Sequence, residues 1–182
     1  MRYDDIEYCI ELIKKKRYPK IHDDIFSLAK RINASCVVDL GCCHGLLSCR
    51  LADAFTHVIG IEPSETYLKN TVKKANVEYV HMKIEMDALD ELRKVLTQKN
   101  VEAVFARRVI PEIWETGGMP LCEALAKTFY SCGVKYVALE GRKKCKHPVN
   151  LLYNADRECE VFDKMYHVEY AYRNCRLLVR NK

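Results

Sequence analysis

The chain has 182 residues, of which 49% are hydrophobic and 30% charged, and a net charge of +5. That length suits one domain with a sizeable core, and the composition is ordinary for a soluble globular protein. No apolar run reaches the roughly 20 residues needed to span a bilayer, and four acidic residues within Met1–Glu11 argue against a secretory signal.

Ten cysteines lie along the sequence without a C-x-x-C pair. With no signal and an ample core, reduced thiols and a cytoplasmic setting are expected. Metal-ligand spacing is missing, so no metal site is expected.

Ile6, Ile10 and Ile13 share a helical face, and Tyr18-Pro19 ends that helix. Ile21, Ile25, Leu28 and Ile32 repeat the pattern up to Asn33, with Asp23 and Asp24 suiting a first helical turn. The chain then alternates. Strands are expected over 36–40, 57–61, 77–82, 101–106 and 134–139. Helices are expected over 46–55, 63–75, 88–96, 120–129 and 148–159. Near-continuous apolar strands between amphipathic helices indicate a parallel sheet covered on both faces. Residues 164–172 and 175–180 are two further strands joined at Arg173-Asn174. With no helix between them they form an antiparallel hairpin. Its Tyr166, Val168, Tyr170 and Tyr172 fall on one side by alternation, which reads best as packing under a helix. One domain over 1–182 is expected, with N-terminal helices over 1–34 and the core over 35–182.

The first strand feeds Asp39-Leu40-Gly41-Cys42-Cys43-His44-Gly45, and the second ends on Glu62, 17 residues after Gly45. Glycines at a strand-to-helix turn let backbone approach a ligand, and a carboxylate ending the next strand suits ribose hydroxyls. The glycine spacing does not match the G-x-G-x-x-G of a dinucleotide fold.

This motif, its acidic partner and the C-terminal hairpin together resemble the class I S-adenosylmethionine-dependent methyltransferases, over nearly the whole chain. The resemblance implies an α/β fold: a Rossmann-like three-layer αβα sandwich with five parallel strands and a C-terminal antiparallel hairpin in one seven-stranded sheet. It implies S-adenosyl-L-methionine as cofactor. Gly41, Cys42, Cys43 and Gly45 would cradle the methionine part, and Asp39 would meet a water or the cofactor amino group. Glu62 would hold the ribose, Pro63 would lie by the adenine, and Ile84, Glu85 and Ala106 would complete the site. Cys43 stands where the family has its middle glycine and is expected to keep a negative φ.

In this topology the site lies outside the carboxyl ends of the strands. Arg107, Arg108, Trp114 and Arg142 are the substrate-binding candidates there, with the lysines at 143, 144 and 146 extending a basic rim. Arg107 or Arg108 suits bidentate binding of a carboxylate or phosphate. Methyl transfer from a sulfonium needs alignment more than acid–base work, so no residue is marked as catalytic. Glu112, Glu140 and His147 are the candidate bases, and Glu112 and Glu140 also read as ion-pair partners of neighbouring arginines. There is no Asn/Asp-Pro-Pro-Tyr/Phe or Pro-Cys after the fourth strand, which disfavours the usual base methylations. An arginine in place of aspartate there disfavours ribose 2′-hydroxyl methylation. The expected acceptor is a small or anionic molecule, with nucleic acid as a second class and no membrane partner. An RNA methyltransferase and a non-catalytic methyltransferase-like binding protein are the alternatives.

Overall fold

The computed structural model describes residues 20–142 and 154–182. The expected helix over Ile6–Ile13, the lysines at 143, 144 and 146, the candidate base His147 and the start of the helix expected at 148 lie outside the described residues.

Seven strands form one sheet: β1 (Cys36–Leu40), β2 (His57–Glu62), β3 (Val77–His81), β4 (Ala103–Arg107), β5 (Tyr136–Glu140), β6 (Tyr166–Tyr172) and β7 (Cys175–Arg180). Their order is β3-β2-β1-β4-β5-β7-β6. The first five are parallel, and β7 runs antiparallel to both β5 and β6. The order reverses beside β1, between β2 and β4, which is where a doubly wound sheet opens a crevice.

Each central strand sends alternate residues to two cores. Val38, Leu40, Ile59, Ile61, Val104, Val137 and Leu139 pack on one face, against α4 (Leu89–Gln98) and α5 (Ile110–Ser131). Val37, Val58, Phe105 and Ala138 pack on the other, against α1 (Asp23–Ser27) and α2 (Leu46–Leu51). This is the three-layer sandwich expected from the sequence. The segment Lys20–Arg31 is helical throughout, with 3₁₀ turns on both sides of α1.

Three elements depart from expectation. The helix begun by Pro63-Ser64, α3 (Glu65–Lys69), stops well before Ala75. Asn70 Nδ2 donates to Thr66 O at 2.8 Å and Thr71 Oγ1 to Leu68 O at 2.9 Å, so side chains satisfy the last carbonyls and end the helix. Ser64 does cap it, accepting from Tyr67 N at 3.3 Å. The helix expected from Pro120 is the second half of α5. Gly118, with φ 66° and ψ −165°, breaks α5 just before Pro120, and a first half from Ile110 was not expected. Pro111 in its first turn was the available signal.

The hairpin tyrosines do not share a face. Val168 pairs with Leu178 and Tyr170 with Leu177, leaving Glu169 as a bulge that reverses the alternation. Tyr166 is buried and donates to Val134 O at 3.0 Å in the core beneath α5. Tyr170 instead turns to the opposite face, where the Arg31 guanidinium lies 3.6 Å from its ring centroid. Tyr172 is exposed.

The last helix, α6 (Ala155–Glu160), is capped by Asn154, whose side chain accepts from Arg157 N at 3.0 Å. The cysteines at 36, 42, 43, 49, 122, 132, 159 and 175 are all free thiols.

Candidate active site

The glycine turn leaves β1 at Leu40 and is fastened to β2 by two bonds. Gly41 N and Cys42 N both donate to Ile61 O, at 2.9 and 3.1 Å. Gly41 has φ 73° and Gly45 φ 77°. A Cβ at Gly41 would meet Val109 Cγ2 at 2.9 Å, and one at Gly45 would meet Tyr79 Oη at 2.0 Å. These two positions need glycine for both conformation and space.

Cys43 departs from expectation: its φ is 48°, in the left-handed region. There its N–H donates to Glu62 Oε2 at 2.9 Å, and Ser64 N donates to Glu62 Oε1 at 3.0 Å. Glu62 is 5% exposed. Each oxygen therefore has one backbone donor and keeps further acceptor capacity. The carboxylate orientation is set before any ligand arrives.

Asp39, in β1, is 1% exposed. Ser48 Oγ of α2 donates to its Oδ2 at 2.6 Å. Burial raises its pKa to about 6, while Ser48 and the Arg107 charge act against that rise.

Two cavities flank the turn and share Gly41. The larger, about 340 Å³, is lined by Asp39, Gly41, Cys42, Cys43, His44 and Arg107, together with His22, Tyr67 and Arg108. The smaller, about 190 Å³, is lined by Pro63, Met82, Lys83, Ile84, Val109 and Glu112, among others. The larger has His22, Asp39, His44, Arg107 and Arg108 in its lining. The smaller is a mostly apolar slot under the first half of α5, with Lys83, Glu112 and Thr116 also lining it.

At the rim, Arg107 Nε and Arg108 Nη2 each lie 3.3 Å from a different oxygen of Glu140. Arg108 has φ 59°, and its N–H donates to Glu140 O at 2.8 Å. Burial raises the Glu140 pKa and lowers that of Arg107, and their mutual attraction opposes both shifts. Glu140 is thus an ion-pair partner of two arginines. Arg142 Nη2 lies 3.5 Å from Glu112 Oε1.

Of the expected cofactor residues, Asp39, Gly41, Cys42 and Cys43 line the larger cavity, while Gly41, Pro63 and Ile84 line the smaller. Gly45 closes the turn and Glu62 stands behind it, bonded to Cys43. Glu85 lines neither cavity and pairs at 2.5 Å with Lys83, which lines the smaller one, and Ala106 is wholly buried inside β4. Arg107 and Arg108 reach the larger cavity. Trp114 instead packs against the core beneath α5. Sequence reasoning missed His22 and Tyr67. Tyr67 stacks edge-on to His44 with centroids 4.6 Å apart. Its placement three residues past the Ser64 cap, on the turn facing the glycine loop, was a usable signal. His22 carried none.

Residues 37–127 match the family model described as a methyltransferase domain. The chain belongs to this methyltransferase family. The match runs from β1 into α5 and so includes the glycine turn, Glu62 and the β4 arginines. A Dictyostelium discoideum protein provisionally named a methyltransferase is 33% identical over 84 residues, which are 43% of this chain and 31% of that relative. The matched part therefore spans about a third of the relative's length. Solved structures agree in fold. The N-methyltransferase NodS from Bradyrhizobium japonicum superposes with a TM-score of 0.62 at 11% identity, covering 89% of this chain and 94% of NodS. The PH0226 protein from Pyrococcus horikoshii gives 0.65 at 14% identity, covering 91% of each chain. The bifunctional kinase-methyltransferase WbdD gives 0.59 at 18% identity, covering 97% of this chain and 40% of WbdD.

The methyltransferase corner fits a nucleoside cofactor. A Cβ on either turn glycine would clash with Val109 or Tyr79, so the protein's own packing holds the turn in this shape, and Gly41 lines both cavities. A buried, pre-oriented carboxylate stands at the strand end beside it, and an apolar slot lies next to that carboxylate. No group of three or more His, Cys, Asp or Glu among the described residues is arranged to hold a metal. No helix among the described residues is long and apolar enough to cross a membrane.

Proposed function

We propose that this methyltransferase-family protein uses S-adenosylmethionine to methylate a small anionic acceptor. The observation that carries the reading is Glu62, a buried carboxylate held by the N–H groups of Cys43 and Ser64 beside the glycine turn.

Glu62 would accept the ribose hydroxyls. The slot formed by Pro63, Met82 and Ile84 would hold the adenine, and Asp39 would accept the ammonium of the methionyl head. When bound, S-adenosylmethionine supplies an electrophilic methyl group on a sulfonium. The protein's own work is then alignment and exclusion of water. Glu140, clamped by two guanidiniums, is poorly placed as a general base. This supports an acceptor nucleophilic enough to need little activation.

The left-handed Cys43 speaks against a degenerate corner: the thiol position adopts the conformation a glycine would, and contributes its N–H to Glu62. Titration calorimetry tests the reading. S-adenosylmethionine should bind the wild type, and Glu62→Ala should weaken binding at least tenfold. Absence of binding at millimolar cofactor would overturn the proposal.

A further inference from the structure

Tyr136 begins β5 and lies opposite Val179 near the end of β7. This is the end of the sheet away from the glycine turn. Along β5, Tyr136 stands roughly 13 Å from Glu140 at the arginine rim. Two open hollows share Tyr136 and Val179 in their linings, one of about 530 Å³ and one of about 450 Å³.

Both hollows are built alike. In the first, the Arg31 guanidinium lies 3.6 Å from the Tyr170 ring centroid. In the second, the Arg180 guanidinium lies 4.2 Å from that of Tyr130. Neither guanidinium has a hydrogen-bond or ion-pair partner among the described residues. The ring fixes where each cation stands and leaves its N–H fork to acceptors from outside.

The charge is one-sided. Lys30 joins Arg31 in the first hollow, and Lys135 and Lys182 join Arg180 in the second. Glu169 is the one acidic residue among the described lining residues, and His167 Nε2 lies 3.6 Å from it. Lys135 is taken by Glu102 Oε1 at 2.8 Å. Lys30, Arg31, Arg180 and Lys182 have no carboxylate partner among the described residues. Four such cations would satisfy any polyanion. The three half-buried tyrosines at 130, 136 and 170 decide between polyanions, because an acidic peptide leaves them idle, whereas a nucleic-acid strand offers a ring with each phosphate.

We propose that this groove binds a single strand of nucleic acid, with phosphates at Arg31 and Arg180 and bases against the tyrosines. The inference goes beyond the proposed function. The groove lies across the sheet from the methyl-transfer site, so the strand is a partner that holds the protein in place and is not the methyl acceptor.

Fluorescence anisotropy with a labelled oligouridylate dodecamer tests this. The wild type should bind at about 50 mM salt, with a logarithmic salt slope of roughly −3 for four phosphate contacts. Arg31→Ala, Arg180→Gln and Lys30→Gln should each weaken binding at least threefold and shrink the slope by about 0.7. Lys30 is exposed and unpartnered, so its variant reads charge without risk to the fold. Arg180→Lys keeps the charge and loses the planar fork, and should recover only part of the affinity. S-adenosylhomocysteine affinity should be unchanged in all four. Absence of oligouridylate binding at 100 μM protein overturns the proposal, as does binding that these variants leave untouched. Polyglutamate bound as tightly, with the same response to the variants, overturns the nucleic-acid assignment in favour of an acidic protein segment. The probe needs no cofactor, so a failure to bind S-adenosylmethionine would overturn the proposed function alone.

Discussion

The N–H of Cys43 and the carboxylate of Glu62 form a 2.9 Å hydrogen bond between the glycine turn and the end of β2. Cys43 reaches it only by adopting φ 48°. A non-glycine residue in that region costs roughly 1–2 kcal/mol, and the bond to a charged acceptor offsets a comparable amount.

Glu62→Gln tests this coupling. A carboxamide has one acceptor oxygen, whereas both Glu62 oxygens take backbone donors, from Cys43 and Ser64. In the variant an amide N–H₂ must face one of those N–H groups. The expected result is a loss of about 1–3 kcal/mol in stability and a fall in S-adenosylhomocysteine affinity. Urea unfolding measures the first and calorimetry the second. Unchanged stability would show that the two backbone bonds contribute nothing.

Gly45→Ala should be worse than its single methyl suggests. The new Cβ would fall 2.0 Å from Tyr79 Oη at a residue with φ 77°. Tyr79 cannot simply swing aside, because its hydroxyl donates to Val72 O at 2.8 Å and its ring lies over Gly60. We expect a destabilisation of roughly 2–4 kcal/mol, combining conformational strain with displacement of a packed ring, and loss of nucleoside binding. A variant with wild-type melting temperature would contradict this packing.

Much of this architecture was legible because the signals were local. A buried parallel strand needs a near-continuous apolar run, and β1 reads as one from Cys36 to Leu40 with Asp39 its single polar residue. The turn and Glu62 were legible together, because glycines mark a tight strand-to-helix turn and Glu62 ends the strand paired beside it. The φ of Cys43 was not, since it is imposed by Glu62 nineteen residues away in sequence and not by anything adjacent. His22 reached the cavity only because α1 packs where β4 presents its arginines, a long-range fact with no sequence period. Trp114 falls in the first half of α5, which the sequence pattern does not announce. Once that stretch is a helix, the indole faces the core.

The hairpin gives the clearest case of a pattern overruled. Alternation puts Tyr166 and Tyr170 together, yet the Glu169 bulge sends Tyr170 to the Arg31 side. Arg31→Ala should therefore cost about 0.5–1 kcal/mol through loss of the stacked guanidinium, with no effect on nucleoside affinity. Thermal unfolding checks the first expectation and calorimetry the second. If Arg31→Ala is neutral in stability, the ring contact is incidental.

Asp39 is where stability and ligand binding oppose each other. Burial raises its pKa from 3.8 to about 6 in the folded chain. Between those values the folded state binds a proton that the unfolded state releases, so acidification through this window stabilises the fold and the full cost persists above about pH 6. Asp39→Asn removes the charge and keeps an oxygen for Ser48. Above pH 6 it should be more stable than the wild type by up to about 3 kcal/mol, and the difference should shrink toward zero as the pH approaches 4. An amide cannot neutralise an ammonium, so S-adenosylhomocysteine should bind the variant at least tenfold more weakly at pH 7.5, with 5′-methylthioadenosine nearly unaffected. The wild-type affinity for S-adenosylhomocysteine should also decline as the pH drops below about 6, whereas that of the variant should stay level. Denaturant unfolding between pH 4.5 and 8, paired with calorimetry at the same values, decides the matter. Parallel stability curves for the two proteins would mean that Asp39 carries no burial cost, and equal loss of both ligands would place the ammonium elsewhere.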